Sequence, residues 1–146
     1  MTDEVARSAD AESQRTVRIP SSAQAVPSIR RALVEDLQDL DVSAEVVDEA
    51  EIVVSELMGN AIRHARPLAD GMVRVRWKVK SGVVEVEVSD GGGPSTPRPA
   101  PPALWSTSGR GLRIVRSLAH EWGVTEDKHG RTVWASLGGP SRRRSH

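Results

Sequence analysis

The chain has 146 residues, which is enough for one domain with one hydrophobic core. Twenty basic residues balance 20 acidic ones, so the formal net charge is zero, and direct binding to nucleic acid or to an anionic membrane is not indicated. The lack of cysteine excludes disulfides, thiolate metal sites and a cysteine nucleophile, and no apolar run approaches a membrane span. Because the N-terminus has no apolar signal core, we expect a cytoplasmic protein.

The first half of the chain predicts a polar tail, one short strand and two helices. Residues 1–15 are rich in charged and small residues and predict a disordered tail, and Thr16–Ile19 predicts a short edge strand. Apolar residues at spacings of three and four predict a helix over Gln24–Leu40. A second helix is predicted from an N-cap at Ser43 to about Arg66, where a proline follows.

Two strands follow, in which valine alternates with charged residues. Met72–Lys80 has basic residues on one face, 84–88 has glutamates there, and Ser81-Gly82 predicts the tight turn between them. Strands that bury only one face predict an antiparallel hairpin covered by helices on one side. We expect cross-strand ion pairs on the solvated side.

A long proline-rich segment separates this hairpin from the last elements. Gly91–Ser108 contains five prolines, and a loop of that length inside a small domain is usually functional or mobile. A helix is predicted over Arg110–Leu118, followed by strands over Trp122–Thr125 and Thr132–Leu137. Residues 138–146 predict a second disordered tail.

Three groups of residues have the chemistry of a binding site. The first consists of Glu56, Asn60 and His64, which share one helix face because they are four residues apart. The carboxylate and the amide oxygen are hard ligands of the kind that Mg²⁺ takes. An ordinary polar helix face explains the same spacing, and zinc is not indicated because His64 has no second His or Cys at ligand spacing.

The second and third groups are rich in glycine. Asp90 ends a strand and is followed by three glycines, so it can accept a hydrogen bond from a ligand that approaches the backbone closely at Gly92. Gly109, Arg110 and Gly111 open a helix, whose N-terminal N–H groups can bind a phosphate. The third group matches neither the common phosphate-loop pattern nor the dinucleotide pattern. A plain strand exit for the second group and a plain helix start for the third are open alternatives.

In their order along the chain, these groups resemble the nucleotide-binding domain shared by histidine kinases, Hsp90-type chaperones, gyrase and mismatch-repair ATPases. The segment 54–65 resembles the N box of one small branch, the RsbW-like anti-sigma-factor serine kinases. Ser89-Asp90 with Gly92 resembles its first glycine box, 109–112 its second and 130–133 its closing strand. The resemblance implies one domain over residues 16–137 with an α/β (α+β two-layer) Bergerat-type fold, in which helices cover one face of a mixed, mostly antiparallel sheet.

The resemblance also implies roles for particular residues. Asn60 would bind Mg²⁺, Glu56 would act as the base, and Asp90 would accept the adenine amine of ATP. The amides at the start of the second glycine box would hold phosphates beneath the proline-rich lid. The nucleotide-binding set that it implies is Asn60, His64, Asp90, Gly92, Gly109, Arg110, Gly111, Leu112 and Thr132.

Two departures from the pattern bear on activity. Pro94 replaces a glycine of the first box, and Thr107 stands where kinases of this branch have an arginine. Because phosphoryl transfer depends on cations near the transferred phosphate, Arg110 is the candidate replacement. We therefore expect either a serine/threonine kinase that phosphorylates an anti-anti-sigma (STAS-type) partner or binds a sigma factor, or a nucleotide-gated binding module without phosphotransfer.

Two further alternatives concern assembly and class. The helix Gln24–Leu40 offers a face for a homodimer or a partner, although packing in the core explains its pattern equally well. The catalytic part of a histidine kinase fits less well, because all four histidines lie at or after His64 and no earlier helix carries a histidine that could accept a phosphate.

Overall fold

The computed structural model of this chain describes residues 2–7, 12–93 and 109–138, with side chains in 12–93 and 113–138. They form a six-stranded sheet and three α-helices. In chain order, the elements are β1 (Thr2–Arg7), β2 (Ser13–Pro20), a 3₁₀ turn (Ala23–Ala25), α1 (Val26–Asp39), α2 (Ala44–His64), β3 (Met72–Lys80), β4 (Val83–Asp90), α3 (Gly109–Leu118), β5 (Glu121–Asp127) and β6 (Gly130–Leu137).

The strands lie in the order β1-β2-β3-β4-β6-β5, and every neighbouring pair is antiparallel. The predicted α+β class is thus confirmed, and the sheet is antiparallel throughout the described residues rather than mixed. The β3–β4 hairpin turns at Ser81 and Gly82, which have φ values of 53° and 78°. Positive φ at both central residues is the backbone that matches the twist of two antiparallel strands.

Period-two alternation places apolar residues on one face of the sheet, where the helices cover them. Val73, Val75 and Trp77 of β3 are almost fully buried. Apolar residues of α1 and α2 pack into the same cluster, among them Leu33 and Leu57. None of the described helices has the length and apolar character needed to cross a bilayer.

The opposite face of the sheet, called the open face below, is polar. Arg76 pairs with Glu87, and Lys78 pairs with Glu85 at 3.4 Å. These pairs confirm the prediction that the basic strand lies beside the acidic one. The next row differs, because Arg74 lies opposite a serine rather than a carboxylate.

The N-terminal part of the sheet is larger than the sequence predicts. Residues 2–7 and 13–15 fall in the predicted tail, yet they lie in strands, and β1 flanks β2 so that β2 is not the edge. The physical reason is a set of tertiary contacts: Arg15 lies over the Trp77 ring at 5.7 Å and pairs with Asp36 at 3.1 Å. Polar residues held in this way have no hydrophobic pattern to reveal them.

Candidate functional site

The polar face of α2 contains a buried side chain whose polar atoms are unsatisfied. Asn60 is 4% exposed, lies among apolar residues such as Leu57 and Ala61, and has neither amide atom hydrogen-bonded to a described residue. Leaving a buried polar group without a partner costs about 1–3 kcal/mol. Asparagine is also a poor helix former, so packing and propensity both disfavour it here. A ligand that bonds the amide would account for its position.

The two neighbours of Asn60 on this face lie one helical turn away in each direction. Glu56 is partly exposed, so its carboxylate reaches solvent from the same face. His64 is partly buried, and its Nε2 atom is buried with no hydrogen bond to a described residue. The structure therefore keeps all three predicted residues on one face. Two of them, Asn60 and His64, have buried polar atoms without a hydrogen-bond partner among the described residues, which a ligand could satisfy.

Asp90 ends β4 on the face of the sheet that the helices cover. It is 3% exposed, and its Oδ1 accepts a hydrogen bond from the Gly92 N–H at 2.7 Å. The Nε atom of Arg131 lies 3.7 Å from the same oxygen. Both contacts from described residues fall on Oδ1, which leaves Oδ2 for another donor.

The charge of Asp90 is set by opposing effects. Burial raises the pKa of this carboxyl above its ordinary value, and nearby Glu126 adds to the rise. The Gly92 N–H and the Arg131 guanidinium act in the opposite direction and favour the ionised form. A ligand N–H bonded to Oδ2 would favour ionisation further and would couple its own binding to deprotonation of Asp90.

Backbone contacts hold the end of α2 against the loop that follows Asp90. The Arg66 N–H donates to the Gly92 carbonyl at 2.9 Å, and the Gly91 N–H donates to the Arg66 carbonyl at 2.6 Å. A side chain at Gly91 would meet the Pro67 carbonyl oxygen at 2.1 Å, so only glycine fits there. The helix face with Asn60 and the strand exit with Asp90 are thus joined in one structural unit.

The Gly92 position differs from that of Gly91. Its φ is +90°, a conformation that favours glycine, and no described atom lies within 4 Å of where a side chain would begin. Glycine at 92 therefore serves the turn and leaves open space beside Asp90.

The closing strand requires a correction to the predicted site. Thr132 lies on the open face, where its hydroxyl is 2.7 Å from that of Ser89, so its side chain does not point toward the Asp90 carboxylate. Its neighbour Arg131 is directly opposite Asp90, on the helix-covered face, and is 6% exposed. Strand periodicity could have found this residue, because Arg131 shares its face with Val133 and the other core residues of β6.

The second glycine box begins a helix, as predicted. Gly109 to Leu112 form the first turn of α3, which packs against α2. The N–H groups at such a helix start can bind an anion. The structure does not describe the side chains of residues 109–112, among them Arg110. Residues 94–108 also lie outside the described residues; they include Pro94, Thr107 and most of the predicted lid.

The described residues contain no cluster of three or more His, Asp or Glu side chains that could hold a metal ion. A cation at Asn60 would therefore take most of its ligands from water and from a bound anion. That mode of binding is ordinary for Mg²⁺, which usually keeps waters and shares phosphate oxygens.

The antiparallel sheet with helices on one face defines a two-layer domain, and buried polar groups lie where α2 meets the exit of β4. Residues 19–137 match the family described as the histidine kinase-like ATPase domain. The chain belongs to this family. Membership implies nucleotide binding, as the resemblance of the motifs also does.

A solved structure gives the same fold. The chain is similar to the crystal structure of the RsbU and RsbW domains of Rv1364c from Mycobacterium tuberculosis, with a TM-score of 0.63 and 19% identity. The match covers 87% of this chain and 34% of that one, so the chain spans about a third of the solved protein. No curated protein matches the chain.

Proposed function

We propose that this chain binds ATP with Mg²⁺ and acts as a regulatory serine/threonine protein kinase of the anti-sigma-factor type. The observation that carries the proposal is Asn60, a buried amide left unsatisfied by the described residues, on a helix fastened to the Asp90 strand exit. The family supplies the class of ligand. The residues supply the chemistry, as follows.

Recognition of the base is assigned to Asp90. Its Oδ2 atom accepts an N–H from the exocyclic amine of adenine, while Gly92 leaves space for the ring. Arg131, opposite Asp90 on β6, helps to keep the carboxylate ionised. This replaces the assignment of Thr132, whose hydroxyl bonds Ser89 on the open face.

Binding of the cation is assigned to Asn60, with His64 one turn further along. The Asn60 amide oxygen is the ligand, and the amide's buried position holds it in place. Mg²⁺, when bound, neutralises charge on the phosphates. Because no cluster of metal-ligating side chains is present among the described residues, we expect cation affinity to depend on nucleotide.

Activation of the partner hydroxyl is assigned to Glu56. It lies one turn before Asn60 and is partly exposed, so it can take a proton from an incoming serine or threonine. The backbone N–H groups at Gly109–Gly111 hold phosphate oxygens at the start of α3, next to Leu112. Arg110 is proposed as the cation that replaces the arginine absent at position 107.

The partner is proposed from the structural neighbour, which joins RsbU and RsbW domains in one chain. We propose an anti-anti-sigma (STAS-type) protein as substrate and a sigma factor as the bound target. Ile52 of α2 is the exposed large apolar residue among those described, at 44%, and it gives the helix a contact point for a partner. Assembly as a homodimer and a cytoplasmic address remain predictions.

One observation favours a second function, a nucleotide-gated binding module that transfers no phosphate. Thr107 lacks the charge that kinases of this branch have at that position, so the transferred phosphate has one cation fewer unless Arg110 supplies it. Such a module would bind ATP at the same Asn60 and Asp90 site, and its affinity for the partner would differ with and without ATP.

One experiment separates these functions. The purified chain is incubated with Mg²⁺, ATP labelled on the γ-phosphate and a candidate anti-anti-sigma protein, and calorimetry measures ATP binding in parallel. Binding with transfer supports the kinase, and binding without transfer supports the module. No binding at millimolar ATP with Mg²⁺ overturns both.

A further inference from the structure

A cleft lies on the open face of the sheet. It has a volume of about 590 Å³ and is lined by strand residues, by the loop before β3 and by the β5–β6 turn. No residue of α2 lines it, so it is separate from the Asn60 site, although it reaches the strand ends at Asp90 and Arg131. Its size is that of an ordinary small-molecule site.

A chain of hydrogen bonds crosses the base of this cleft. Arg74 Nη2 donates to Ser89 Oγ at 3.2 Å, and the Ser89 and Thr132 hydroxyl oxygens are 2.7 Å apart. Because Ser89 accepts from Arg74, its own hydrogen can go to Thr132, which leaves the Thr132 hydroxyl hydrogen for a ligand. Arg74 keeps further N–H donors, since it uses one nitrogen here.

The acidic groups at the edge of the cleft are already engaged. Asp70 pairs with Arg18 at 2.9 Å, and its other oxygen accepts a backbone N–H at the start of β3. Asp127 accepts the backbone N–H groups of His129 and Gly130 at 2.8 and 3.0 Å. The His129 N–H is the main cause of a lowered pKa at Asp127. Arg18 therefore offsets the charge of Asp70, whereas Asp127 stays ionised and lies near enough to Arg74 for that guanidinium to favour its charged form.

Two basic groups of the cleft, Arg74 and Lys128, are less fully engaged. In the two neighbouring rows of the open face, the basic residue of β3 is paired with a glutamate of β4. In this row, Arg74 meets the neutral Ser89 instead. Lys128 lines the same cleft and forms no ion pair with a described residue. The cleft thus combines a hydroxyl group with two cations that form no ion pair with a described residue, and Asp127 is the carboxylate that acts on Arg74 from a longer distance.

We propose that this cleft binds a phosphate monoester or free phosphate, with Arg74 and Lys128 as charge partners and Thr132 as a neutral donor. A phosphate has several acceptor oxygens and up to two charges, which suits two cations and a hydroxyl approaching from different strands. A single carboxylate would satisfy fewer of these donors and would fill less of the volume.

The test is an NMR titration of the full ¹⁵N-labelled chain, without nucleotide and at constant ionic strength set with sodium chloride. Inorganic phosphate and glycerol 1-phosphate are the two probes, and N-acetylglutamate is the carboxylate control. We expect saturable shifts at the amides of residues 128–132 with both phosphates. The tighter of the two probes identifies the source as free phosphate or an organic monoester.

Variants locate the binding group. Arg74→Gln should weaken phosphate binding about tenfold or more, because it removes a charged donor. The matched control is Arg76→Gln, in the next row of β3, which should change phosphate affinity by less than about twofold because that arginine is paired with Glu87. If Arg74→Gln fails to fold by circular dichroism, Arg74→Lys keeps the charge and must still weaken binding by loss of the planar fork.

Several results would overturn this proposal. They are shifts that do not saturate, equal losses in the Arg74 and Arg76 variants, unchanged affinity in Arg74→Lys when Arg74→Gln does not fold, and N-acetylglutamate binding as tightly as phosphate. ATP affinity of Arg74→Gln is measured separately and should stay unchanged. A failure of nucleotide binding would therefore be recognised on its own.

Discussion

The two faces of the β4–β6 strand pair use neighbouring residues for different chemistry. On the helix-covered face, Asp90 and Arg131 are opposite each other and almost fully buried. On the open face, one residue away along both strands, Ser89 and Thr132 are opposite each other and bond through their hydroxyls. Strand alternation alone separates an ionic pair beneath the helices from a hydroxyl pair in an open cleft.

The difference teaches how the surroundings decide what a polar pair can do. Burial raises the pKa of Asp90 and makes its charge depend on Arg131 and on a ligand. The hydroxyl pair on the open face is neutral, so no charge has to be buried there. Its charged hydrogen-bond partner among the described residues is Arg74. Nucleotide recognition is therefore proposed on the buried face and oxyanion binding on the open one.

The largest expected effect lies on the helix-covered side, at Glu56. Glu56→Gln should lower phosphorylation of the partner by about 10²–10⁴-fold, because the glutamine cannot take the hydroxyl proton. ATP affinity should stay within a few fold, since the base and phosphates are held elsewhere. Kinase assays and calorimetry on the same preparation measure both quantities. Equal losses of affinity and rate would show that Glu56 binds nucleotide rather than acting as a base.

Arg110→Ala provides the companion test for transfer. A large loss of rate with intact ATP binding would identify Arg110 as the cation that stands in for the arginine missing at position 107. An unchanged rate would remove that role from Arg110.

The next effect concerns Asn60. Asn60→Ala should weaken Mg²⁺-dependent ATP binding by about tenfold or more. It should leave the free energy of unfolding of the free protein unchanged or raise it, because no described residue bonds the amide and its burial costs about 1–3 kcal/mol. Met58→Ala, at a fully buried position two residues earlier, should show the opposite pattern and cost about 2–5 kcal/mol of stability. A large destabilisation by Asn60→Ala would mean that the amide is structural.

A smaller effect is expected in the pH dependence of binding. The ionised form of Asp90 is the stronger acceptor for the proposed amine donor, and the pKa of Asp90 is raised, so ATP affinity should fall as pH drops through that raised pKa. Arg131→Met removes a charge that favours ionisation and should move the fall to higher pH. Asp90→Asn should bind about tenfold or more weakly, and its binding should lose this dependence. Calorimetry across pH checks the three proteins, and an unshifted profile in Arg131→Met would contradict the role given to that residue.

The smallest effect is expected at Thr132, and it tests the comparison of the two faces directly. Thr132→Val should leave ATP affinity within about twofold, because its hydroxyl bonds Ser89 on the open face. The same variant should weaken phosphate binding in the open cleft. A large loss of ATP affinity would restore Thr132 to the base site, as the motif alone suggested.

The sequence predicted much of this arrangement where the evidence is local. The spacing of Glu56, Asn60 and His64 determines a shared helix face, because a helix repeats every 3.6 residues. The alternation in β3 and β4 determined their pairing and the ion pairs between them, and the helix after the second glycine box was found within a residue of its start. These features depend on neighbours in the chain.

Only the tertiary structure decided features that bring distant segments together. The motif placed Thr132 at the proposed base site, but pairing with β4 puts Arg131, not Thr132, opposite Asp90. The strand status of residues 13–15 depends on contacts of Arg15 with Trp77 and Asp36, which are far away in sequence. The open-face cleft likewise arises from several separate segments, and the lack of a hydrogen-bond partner for the Asn60 amide among the described residues is visible only in the folded chain. Composition and periodicity record which residues can be polar or buried, whereas the partner of each polar group is settled only when the chain folds.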